Sequence, residues 1–395
     1  MTTKIKIQHL PLYFDYNSTT PLDPRVLEVM LPHMTTHFGN PANQLHAYGW
    51  AAKNAVQKAT EQTQKLINAA RPEEIVWNSG ATEGNNSVFW GLTKKLKKEN
   101  PNDFIHFITT NIEHASVIKT FEYLKLHEGI DFTILPVDQK GFISLEQIKN
   151  AITPNTKLVS VMWVNNEIGT VQPISDIANF CQTHKIYFHT DATQAIGKID
   201  INLQTTPIHF LTVSSHKMYG PKGVGFLYTK SLNPHIEIEH FLSGGGHQNN
   251  KRSGTLNVPA IVGAGQACEI AMNEMISQNL KNKNLQKLFY NELKKEFSDL
   301  VLNGPDLDSN LRSPINLSIT FKNFPIDLYI SQLTGLALSQ GSACSSGETT
   351  TSPVLKAIGL TQEQSTCTVR LSVGLLTTED DIYAAVRIFK SAFHS

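Results

Sequence analysis

The feature that most constrains the fold is an alternation of short β-rich runs with amphipathic helical patterns over the first two-thirds of the chain. The runs that predict strands are Glu74–Asn78, Phe104–Thr109, Phe132–Pro136, Lys157–Val164, Ile186–Thr190, His209–Ser214 and Val224–Thr229. Helical spacing between several of them predicts helices such as Ala115–His127, Ser144–Ala151 and Ser175–His184. This alternation indicates an α/β fold with a mostly parallel sheet covered on both faces, and functional loops at the carboxyl ends of its strands.

The last third of the chain has a different, α+β pattern. Apolar residues recur at helical spacing over Leu285–Phe297 and alternate over Ile315–Phe321, as in a strand with one buried face. A glycine- and serine-rich loop, Gln340–Gly347, then precedes a short strand at Val369–Val373 and a helix that opens at Thr378 with acidic residues in its first turn. We therefore predict a second, smaller α+β domain.

Length and composition favour a two-domain globular protein of the cytoplasm. The 395 residues suit two domains, which we place at 15–260 (large) and at 1–14 with 261–395 (small). Lys plus Arg equals Asp plus Glu, 34 against 34, so no global field draws the chain to nucleic acid or membrane. The first ten residues lack the apolar run of a signal peptide, and no stretch approaches the roughly 18 apolar residues of a membrane helix.

The four cysteines differ in their surroundings. Cys181 and Cys268 lie in helical apolar patterns and Cys367 enters a strand, so we expect three buried, unreactive thiols. Cys344 lies among small and glycyl residues, which predicts an exposed thiol, although such a thiol can be incidental. There is no CxxC and no Cys/His spacing of zinc type, so we expect a reducing compartment and no metal.

Lys217 is the first candidate catalytic residue. A lysine that leaves a strand is usually a solvated loop residue. Here it follows Ser214, Ser215 and His216 and precedes glycines that let the backbone approach a ligand. A lysine in a partly desolvated loop of this kind can form a Schiff base.

Asp191 directly follows the preceding predicted strand, Ile186–Thr190. An aspartate at that position is often a helix cap. The alternative is that it pairs with a protonated ring nitrogen and keeps the ring able to accept electrons from a carbanion. Asp191 and Lys217 end successive predicted strands, so both could reach one ligand.

The segment Ser79–Glu83 follows a predicted strand and opens a helix. Small residues at such a turn leave free N–H groups directed at an anion, most often phosphate. Many strand-to-helix turns look alike and bind nothing, so this motif alone is weak.

Taken together, these motifs resemble the class V aminotransferase family, and within it the cysteine desulfurases of the NifS/IscS type. The shared motifs, in chain order, are Tyr13–Pro21, Gly39–Pro41, Ser79–Glu83, Glu113–His114, Val164–Gly169, Asp191–Gln194, His216–Lys217, Gly244–His247, Arg252–Thr255, Gly341–Cys344 and Arg370–Gly374. The resemblance implies the aspartate aminotransferase-like fold of type I pyridoxal phosphate enzymes. Val354 follows Cys344 by ten positions, a spacing that resembles the longer loop of group I members.

The resemblance also implies a site for pyridoxal 5'-phosphate. Lys217 would carry the cofactor as a Schiff base and move the Cα proton, while His114 would stack on the ring and take part in proton transfer. Asp191 would hold the pyridine nitrogen, Gln194 the phenolic oxygen, and Asn166 would lie near that oxygen and the substrate carboxylate.

The same resemblance implies which residues bind the cofactor phosphate and which bind the substrate. The residues implied to bind the phosphate are Ala81, Thr82, Ser214, His216 and, from the partner subunit of a homodimer, Thr255. Arg370 would clamp the carboxylate of L-cysteine, which suits its planar fork. Cys344 would attack the substrate sulfur as a thiolate, leaving alanine and a persulfide for a sulfur-acceptor protein.

Several alternatives stay open. A selenocysteine lyase or another class V lyase would have the same cofactor site, although Cys344 in its loop favours a desulfurase. A non-catalytic carrier would be expected to lack Lys217, Asp191, Arg370 or Cys344, and all four are present. The acceptor could be an iron–sulfur scaffold, a tRNA-thiolation relay or a carrier for cofactor synthesis. The sequence departs from the family that it resembles in two places: it stops at Ser395, without the longer C-terminal tail of close relatives, and it has an unusual stretch at 248–251. We expect both departures to affect which acceptor is served and not the chemistry.

Overall fold

A computed structural model describes residues 10–231, 236–340 and 352–393. Its strands are β1 (Leu12–Tyr13), β2 (Ile75–Asn78), β3 (His106–Thr110), β4 (Asp131–Leu135), β5 (Thr156–Ser160), β6 (Tyr187–Asp191), β7 (Phe210–Ser214), β8 (Gly225–Thr229), β9 (Leu300–Asn303), β10 (Asn316–Phe321), β11 (Leu336–Ala337) and β12 (Thr368–Ser372). Its α-helices are α1 (Pro24–Thr35), α2 (Ala47–Ile67), α3 (Ala81–Glu99), α4 (Ala115–Glu128), α5 (Leu145–Ala151), α6 (Ile174–Thr183), α7 (Val258–Glu296), α8 (Ile326–Tyr329), α9 (Pro353–Ala357), α10 (Gln362–Thr366) and α11 (Glu379–Phe393).

The seven predicted strands all form, and they build one sheet in the order β2-β8-β7-β6-β5-β3-β4. The five strands from β7 to β4 are parallel, whereas β8 is antiparallel to both of its neighbours. The α/β fold with a mostly parallel sheet is therefore confirmed. The strand predicted at Lys157–Val164 ends as β5 at Ser160, although Val161 and Trp163 still donate backbone hydrogen bonds to β6 residues.

Side chains that alternate along the central strands divide the core into two layers. On β3, Phe107 packs with the layer under α3 and α4, whereas Ile108 packs with the layer on the opposite face. Leu158 and Val159 on β5 divide in the same way. Because successive strand residues point to opposite faces, these apolar pairs bury both sides of the sheet.

The second core lies around the antiparallel sheet β12-β10-β9 and the helix α11. The predicted strand over Ile315–Phe321 is β10, whose six residues are all buried. The helix predicted from Thr378 is α11, and Thr378 and Asp381 cap its first turn reciprocally. This core also receives Phe14 and Tyr16 from the N-terminal segment.

Helix α7 joins the two cores. Ala264 and Cys268 in its first half pack in the core of the large sheet, and Phe289 and Leu293 in its second half pack in the other core. Ideal geometry gives its 39 residues a length of about 58 Å. The division of the chain near residue 260 stays a prediction.

The segment 248–251 departs from the expected sequence, and the structure gives it a role at the sheet edge. The side chain of Gln248 accepts a hydrogen bond from the Trp77 N–H at 2.7 Å and donates to the Trp77 carbonyl at 2.8 Å. Gln248, Asn249 and Asn250 all have positive φ, a conformation that asparagine tolerates well. The Gln248 side chain thus pairs with the backbone N–H and C=O of Trp77 on edge strand β2, as a neighbouring strand would.

Cys181, Cys268 and Cys367 are buried free thiols, as predicted. Burial raises the pKa of Cys181 and that of Cys268 to about 12, so neither forms a thiolate near neutral pH. Cys344 lies outside the described residues. In the described ranges, no helix is long and apolar enough to cross a membrane, and no His/Cys/Asp/Glu group could hold a metal ion.

Candidate active site

Most of the predicted site residues lie at one edge of the large sheet. Asp191 is the last residue of β6, Ser214 is the last of β7, and Lys217 follows three residues later. Ala81 begins α3 three residues after the end of β2, which runs in the same direction as β7. His114 follows β3. The carboxyl ends of parallel strands meet at this edge, where open α/β sheets bind their ligands.

A cavity of about 350 Å³ at this edge is lined by the four residues of this chain that are predicted to bind phosphate, Ala81, Thr82, Ser214 and His216. Its lining residues are Thr19, Ser79, Gly80, Ala81, Thr82, Glu83, Ser214, His216, Lys222 and Gly223. Helix α3 begins here without a side-chain cap, and the Ala81 N–H donates to Ser214 Oγ at 2.7 Å. Gly80 has φ of +142°, and a Cβ there would lie 3.1 Å from Ser214 Oγ. The cavity therefore offers hydroxyls, free N–H groups of a 19-residue helix and a cation to an anion.

His216 is a neutral ring in this cavity. Its Nδ1 lies 3.0 Å from Thr19 Oγ1. Burial, helped by the charges of Lys217, Lys222 and Lys198, lowers the pKa of His216 to about 4. At neutral pH His216 can donate one N–H to a bound anion without adding a charge.

Lys217 is held against the N-terminal segment. Its Nζ donates to the Asn17 carbonyl at 2.8 Å and to the carbonyl of Ser18. The Lys217 carbonyl accepts a hydrogen bond from Lys198 Nζ at 2.9 Å. Lys198 is buried, and its burial together with the charge of Lys217 lowers the pKa of Lys198 to about 7. The Lys198 amine thus fixes the backbone of Lys217.

Asp191 is buried and accepts hydrogen bonds at both oxygens. Oδ1 accepts from the Thr193 N–H at 3.0 Å, and Oδ2 accepts from Asn85 Nδ2 at 3.0 Å. The ring of His189 lies two residues back on β6, where burial lowers its pKa to about 4. A carboxylate surrounded by neutral donors at a strand end is suited to hold a cationic ring nitrogen.

Gln194 is held by Asn17. Gln194 Nε2 donates to the Asn17 carbonyl at 2.9 Å, and Gln194 Oε1 accepts from Asn17 Nδ2 at 3.1 Å. Asn17 also accepts from Lys217 and from Asn316 Nδ2, so one buried residue links the lysine to the glutamine. The sequence motif contains Asn17, but we predicted no role for it.

His114 caps the N-terminus of α4. The Ser116 N–H donates to His114 Nδ1 at 3.1 Å, and Ser116 Oγ lies 2.8 Å from the same nitrogen. Ser116 Oγ in turn accepts from Asn85 Nδ2 at 2.9 Å. His114 and Asp191 are therefore connected through Ser116 and Asn85, and we predicted no role for Asn85.

Arg370 lies on β12 and is 3% exposed. Its guanidinium donates to Asp15 Oδ1 at 2.8 Å, Ser339 Oγ at 3.1 Å and the Asn166 carbonyl at 3.2 Å. Arg370 Nε has no partner among the described residues. A buried guanidinium with a free donor is suited to bind a carboxylate.

Asn166 and its neighbours form the loop beside Arg370. Asn165 is fully buried, and its Oδ1 accepts the N–H groups of Glu167 and Ile168, so it holds the turn together. Asn166 is half-buried, and its carbonyl accepts a hydrogen bond from Arg370. Of these two adjacent asparagines, Asn165 therefore has a structural role and Asn166 remains the candidate ligand.

Two predicted residues are not among the described residues of this cluster. Thr255 is exposed and does not line the cavity of its own chain. Cys344 belongs to residues 341–351, which lie outside the described ranges. The segment's described flanks contact the site, since Ser339 contacts Arg370 and Ser352 Oγ donates to Glu167 Oε2.

The fold and this cluster define the chain as a class V aminotransferase. The family model described as "Aminotransferase class-V" matches residues 12–384, so the chain belongs to that family. A protein named cysteine desulfurase IscS, from Rickettsia prowazekii, is 42% identical over 98% of this chain and 92% of its own length. A cysteine desulfurase from Pongo abelii is 41% identical over 94% of this chain and 79% of its own length.

Solved structures agree with the sequence relatives. A NifS-like protein superposes with a TM-score of 0.88 at 31% identity and covers 98% of this chain and all of its own. A structure described as SspA in complex with cysteine gives a TM-score of 0.79 at 36% identity over 92% of this chain and 98% of its own. These likenesses confirm the predicted family and fold.

Proposed function

We propose that the protein is a pyridoxal 5'-phosphate-dependent cysteine desulfurase, which converts L-cysteine to L-alanine and leaves a persulfide on Cys344. The observation that carries the proposal is the convergence of Lys217, the buried carboxylate of Asp191 and the anion cavity at one sheet edge. The relatives named cysteine desulfurase, alike over nearly the whole chain, support the same activity.

The residues present fit the cofactor. The cavity that Gly80 keeps open offers donors for a phosphate, and Lys222 and the N-terminus of α3 supply positive potential. Asp191 supplies the acceptor for a protonated ring nitrogen, and Lys217 supplies the amine. Pyridoxal phosphate, when bound, accepts the electron pair that is released at the Cα of an amino acid.

The chain's own residues would bind and orient the substrate. Arg370 binds the cysteine carboxylate, with Asp15, Ser339 and the Asn166 carbonyl fixing the guanidinium plane. Lys217 takes and returns the proton at Cα. The carbon–sulfur bond of cysteine breaks as its sulfur bonds to the Cys344 sulfur, and the carbon that loses sulfur takes a proton to give alanine.

The proposal includes a homodimer. A patch of exposed apolar residues lies around the junction of α1 and α2 and comprises Phe38, Leu45, Tyr48 and Trp50. Phe38 and Tyr48 stack at 5.3 Å, yet Phe38 remains 68% exposed and Leu45 89%. Such a patch on one chain is typical of a surface that a partner covers. Sedimentation should give a dimer mass.

The persulfide sulfur would pass to an acceptor protein of the iron–sulfur scaffold or tRNA-thiolation class. Cys181, Cys268 and Cys367 are free thiols, which suits a reducing cytoplasm. The transfer can be followed by incubating the sulfur-loaded enzyme with a candidate acceptor and measuring the mass that the acceptor gains.

The activity is tested by alanine formation from L-cysteine, with mass spectrometry of the thiols. We expect alanine from the wild type and an added sulfur on the peptide of Cys344. Lys217→Ala and Cys344→Ala should abolish both products, whereas Cys367→Ala, which removes a buried thiol, should retain them. Borohydride reduction should fix the cofactor to Lys217. Alanine at the wild-type rate from Cys344→Ala would refute the role of that thiol, and alanine from selenocysteine alone would indicate a lyase.

A further inference from the structure

We propose that Asn85 and Ser116 are positioning residues that fix the tautomer of His114, with the ring proton on Nε2. His114 would then act as a hydrogen donor toward the group bound beside it. The tautomer follows from the structure itself, and its use in the reaction rests on the proposed function.

The orientation of the Asn85 amide is determined by its partners. Asn85 is fully buried and lies on α3. Its Nδ2 lies 3.0 Å from Asp191 Oδ2, a carboxylate oxygen that can only accept. Its Oδ1 lies 2.6 Å from Thr212 Oγ1, which can donate. A flipped amide would place oxygen against the carboxylate, so the NH₂ group faces Asp191.

The Asn85 amide in turn orients the Ser116 hydroxyl. The second hydrogen on Asn85 Nδ2 points to Ser116 Oγ at 2.9 Å. Ser116 Oγ therefore accepts from Asn85, and its own proton is free to point toward His114 Nδ1, 2.8 Å away. The Asp191 carboxylate thus orients the Asn85 amide, which orients the Ser116 hydroxyl toward His114 Nδ1.

His114 Nδ1 consequently faces two donors, the Ser116 hydroxyl and the Ser116 N–H at 3.1 Å. A nitrogen that accepts from two donors carries no proton, so the neutral ring holds its proton on Nε2. Placing a proton on Nδ1 would turn it against the backbone N–H of Ser116. The ring is therefore prepared to donate from Nε2 rather than to take a proton there.

The tautomer can be observed directly by ¹⁵N NMR of protein labelled in its 15 histidines, in the cofactor-free and cofactor-loaded forms. His114→Gln identifies the signals of His114. We expect an unprotonated Nδ1 and a protonated Nε2 in the wild type. Ser116→Ala should increase the fraction with a proton on Nδ1, and Ser116→Thr, which keeps a hydroxyl, should restore the wild-type signals.

Kinetics test the use of the tautomer in alanine formation. Ser116→Ala should lower kcat about 10-fold with little change in KM, because it weakens a hydrogen bond that the His114 Nε2–H donates in the transition state. Ser87→Ala is the control. It removes a serine hydroxyl on α3 that donates to the Glu83 carbonyl and should change neither the His114 signals nor kcat. A proton on Nδ1 in the wild type would overturn the tautomer assignment, and unchanged signals in Ser116→Ala would overturn the positioning role of the Ser116 hydroxyl.

A changed tautomer with unchanged kcat would overturn the donor role while leaving the tautomer assignment intact. Failure of the proposed function is a separate result, because the histidine signals do not depend on which substrate the enzyme accepts. Asn85→Leu gives a second probe of the same chain of hydrogen bonds, and it should shift the His114 signals in the same direction as Ser116→Ala.

Discussion

Arg370 Nη2 lies 2.8 Å from Asp15 Oδ1, so the guanidinium proposed to bind the substrate is already oriented by a carboxylate from the other end of the chain. The two residues are adjacent because Asp15 forms a parallel bridge with Ser372 and Ser339 bridges Arg370 itself. This arrangement fixes the plane of the guanidinium before any substrate arrives.

Arg370→Lys tests this orientation. A lysine ammonium cannot donate to Asp15, Ser339 and a substrate carboxylate in one plane. We expect KM for L-cysteine to rise about 100-fold, equivalent to about 3 kcal/mol, with the cofactor absorbance retained. Arg25→Lys is the matched control, since Arg25 is also paired with an aspartate but faces away at a surface pair with Glu274. An unchanged KM in Arg370→Lys would contradict the role.

Glu113 makes stability fall as pH rises. Burial raises the pKa of Glu113 to about 8, and Oε2 has no partner among the described residues. The folded state thus prefers the protonated form, and this preference is fully present below the unfolded pKa of about 4.5 and is lost by about pH 8.

Glu113→Gln should therefore gain stability over the wild type by about 2 to 4 kcal/mol between pH 5 and pH 8. The amide oxygen can still accept from Thr110 and from the Met162 N–H, as Glu113 Oε1 does. Equilibrium urea unfolding of both proteins at the two pH values measures the difference. A constant difference across this range would show that Glu113 does not titrate there.

His209 has the opposite pH dependence. Its Nδ1 accepts the Phe188 N–H at 2.9 Å, and burial lowers the pKa of His209 to about 4. The unfolded chain binds a proton at about 6.5 and the folded chain only near 4, so stability is lost as pH falls between these values. His209→Asn keeps an acceptor and should remove up to about 3 kcal/mol of this loss. Parallel unfolding profiles for the two proteins would contradict the prediction.

Gln248 should contribute to the stability of the sheet edge. Gln248→Ala removes both hydrogen bonds to Trp77 and leaves a partly buried N–H and C=O without them. We expect a loss of about 1 to 3 kcal/mol. Asn249→Ala, at the exposed neighbouring position, is the comparison and should cost less, through its positive φ alone. Equal losses would show that the Trp77 hydrogen bonds add nothing.

The sheet could be predicted because its strands carry strong local signals. Runs such as His209–Ser214 are short and rich in apolar and β-branched residues, and all seven predicted runs form strands of one sheet. Strand ends then located the candidate site, because parallel strands place their carboxyl ends together. The roles of the site residues stay predictions.

Helix α7 was predicted only in part. Its second half carries large apolar residues such as Phe289 and Leu293 at helical spacing, whereas its first half packs through small residues. A Cβ on Gly265 would lie 2.5 Å from the Ala59 Cα, so α2 approaches α7 too closely for larger side chains. Small residues give little hydrophobic periodicity, and the sequence pattern therefore hid this half of the helix.

Asn85 was missed for a different reason. A lone asparagine in a helix gives no local signal for a partner on another element, and its contacts with Ser116 and Asp191 exist only once α3, α4 and β6 are assembled. Lys198 is similar, since its bond to the Lys217 carbonyl depends on packing. Residues that act through another side chain are the least visible to sequence reasoning.

The 39-residue span of α7 also decides how this protein can be divided. A cut near residue 260 would leave the helix with one fragment and uncover the surface of α1 and α2 on the other, because α7 packs along both of them. A cut within the helix would leave each half with the core it packs against, but it would separate Phe14 and Tyr16 from the core of the antiparallel sheet. We therefore expect that neither core, expressed separately, would fold as it does in the whole chain.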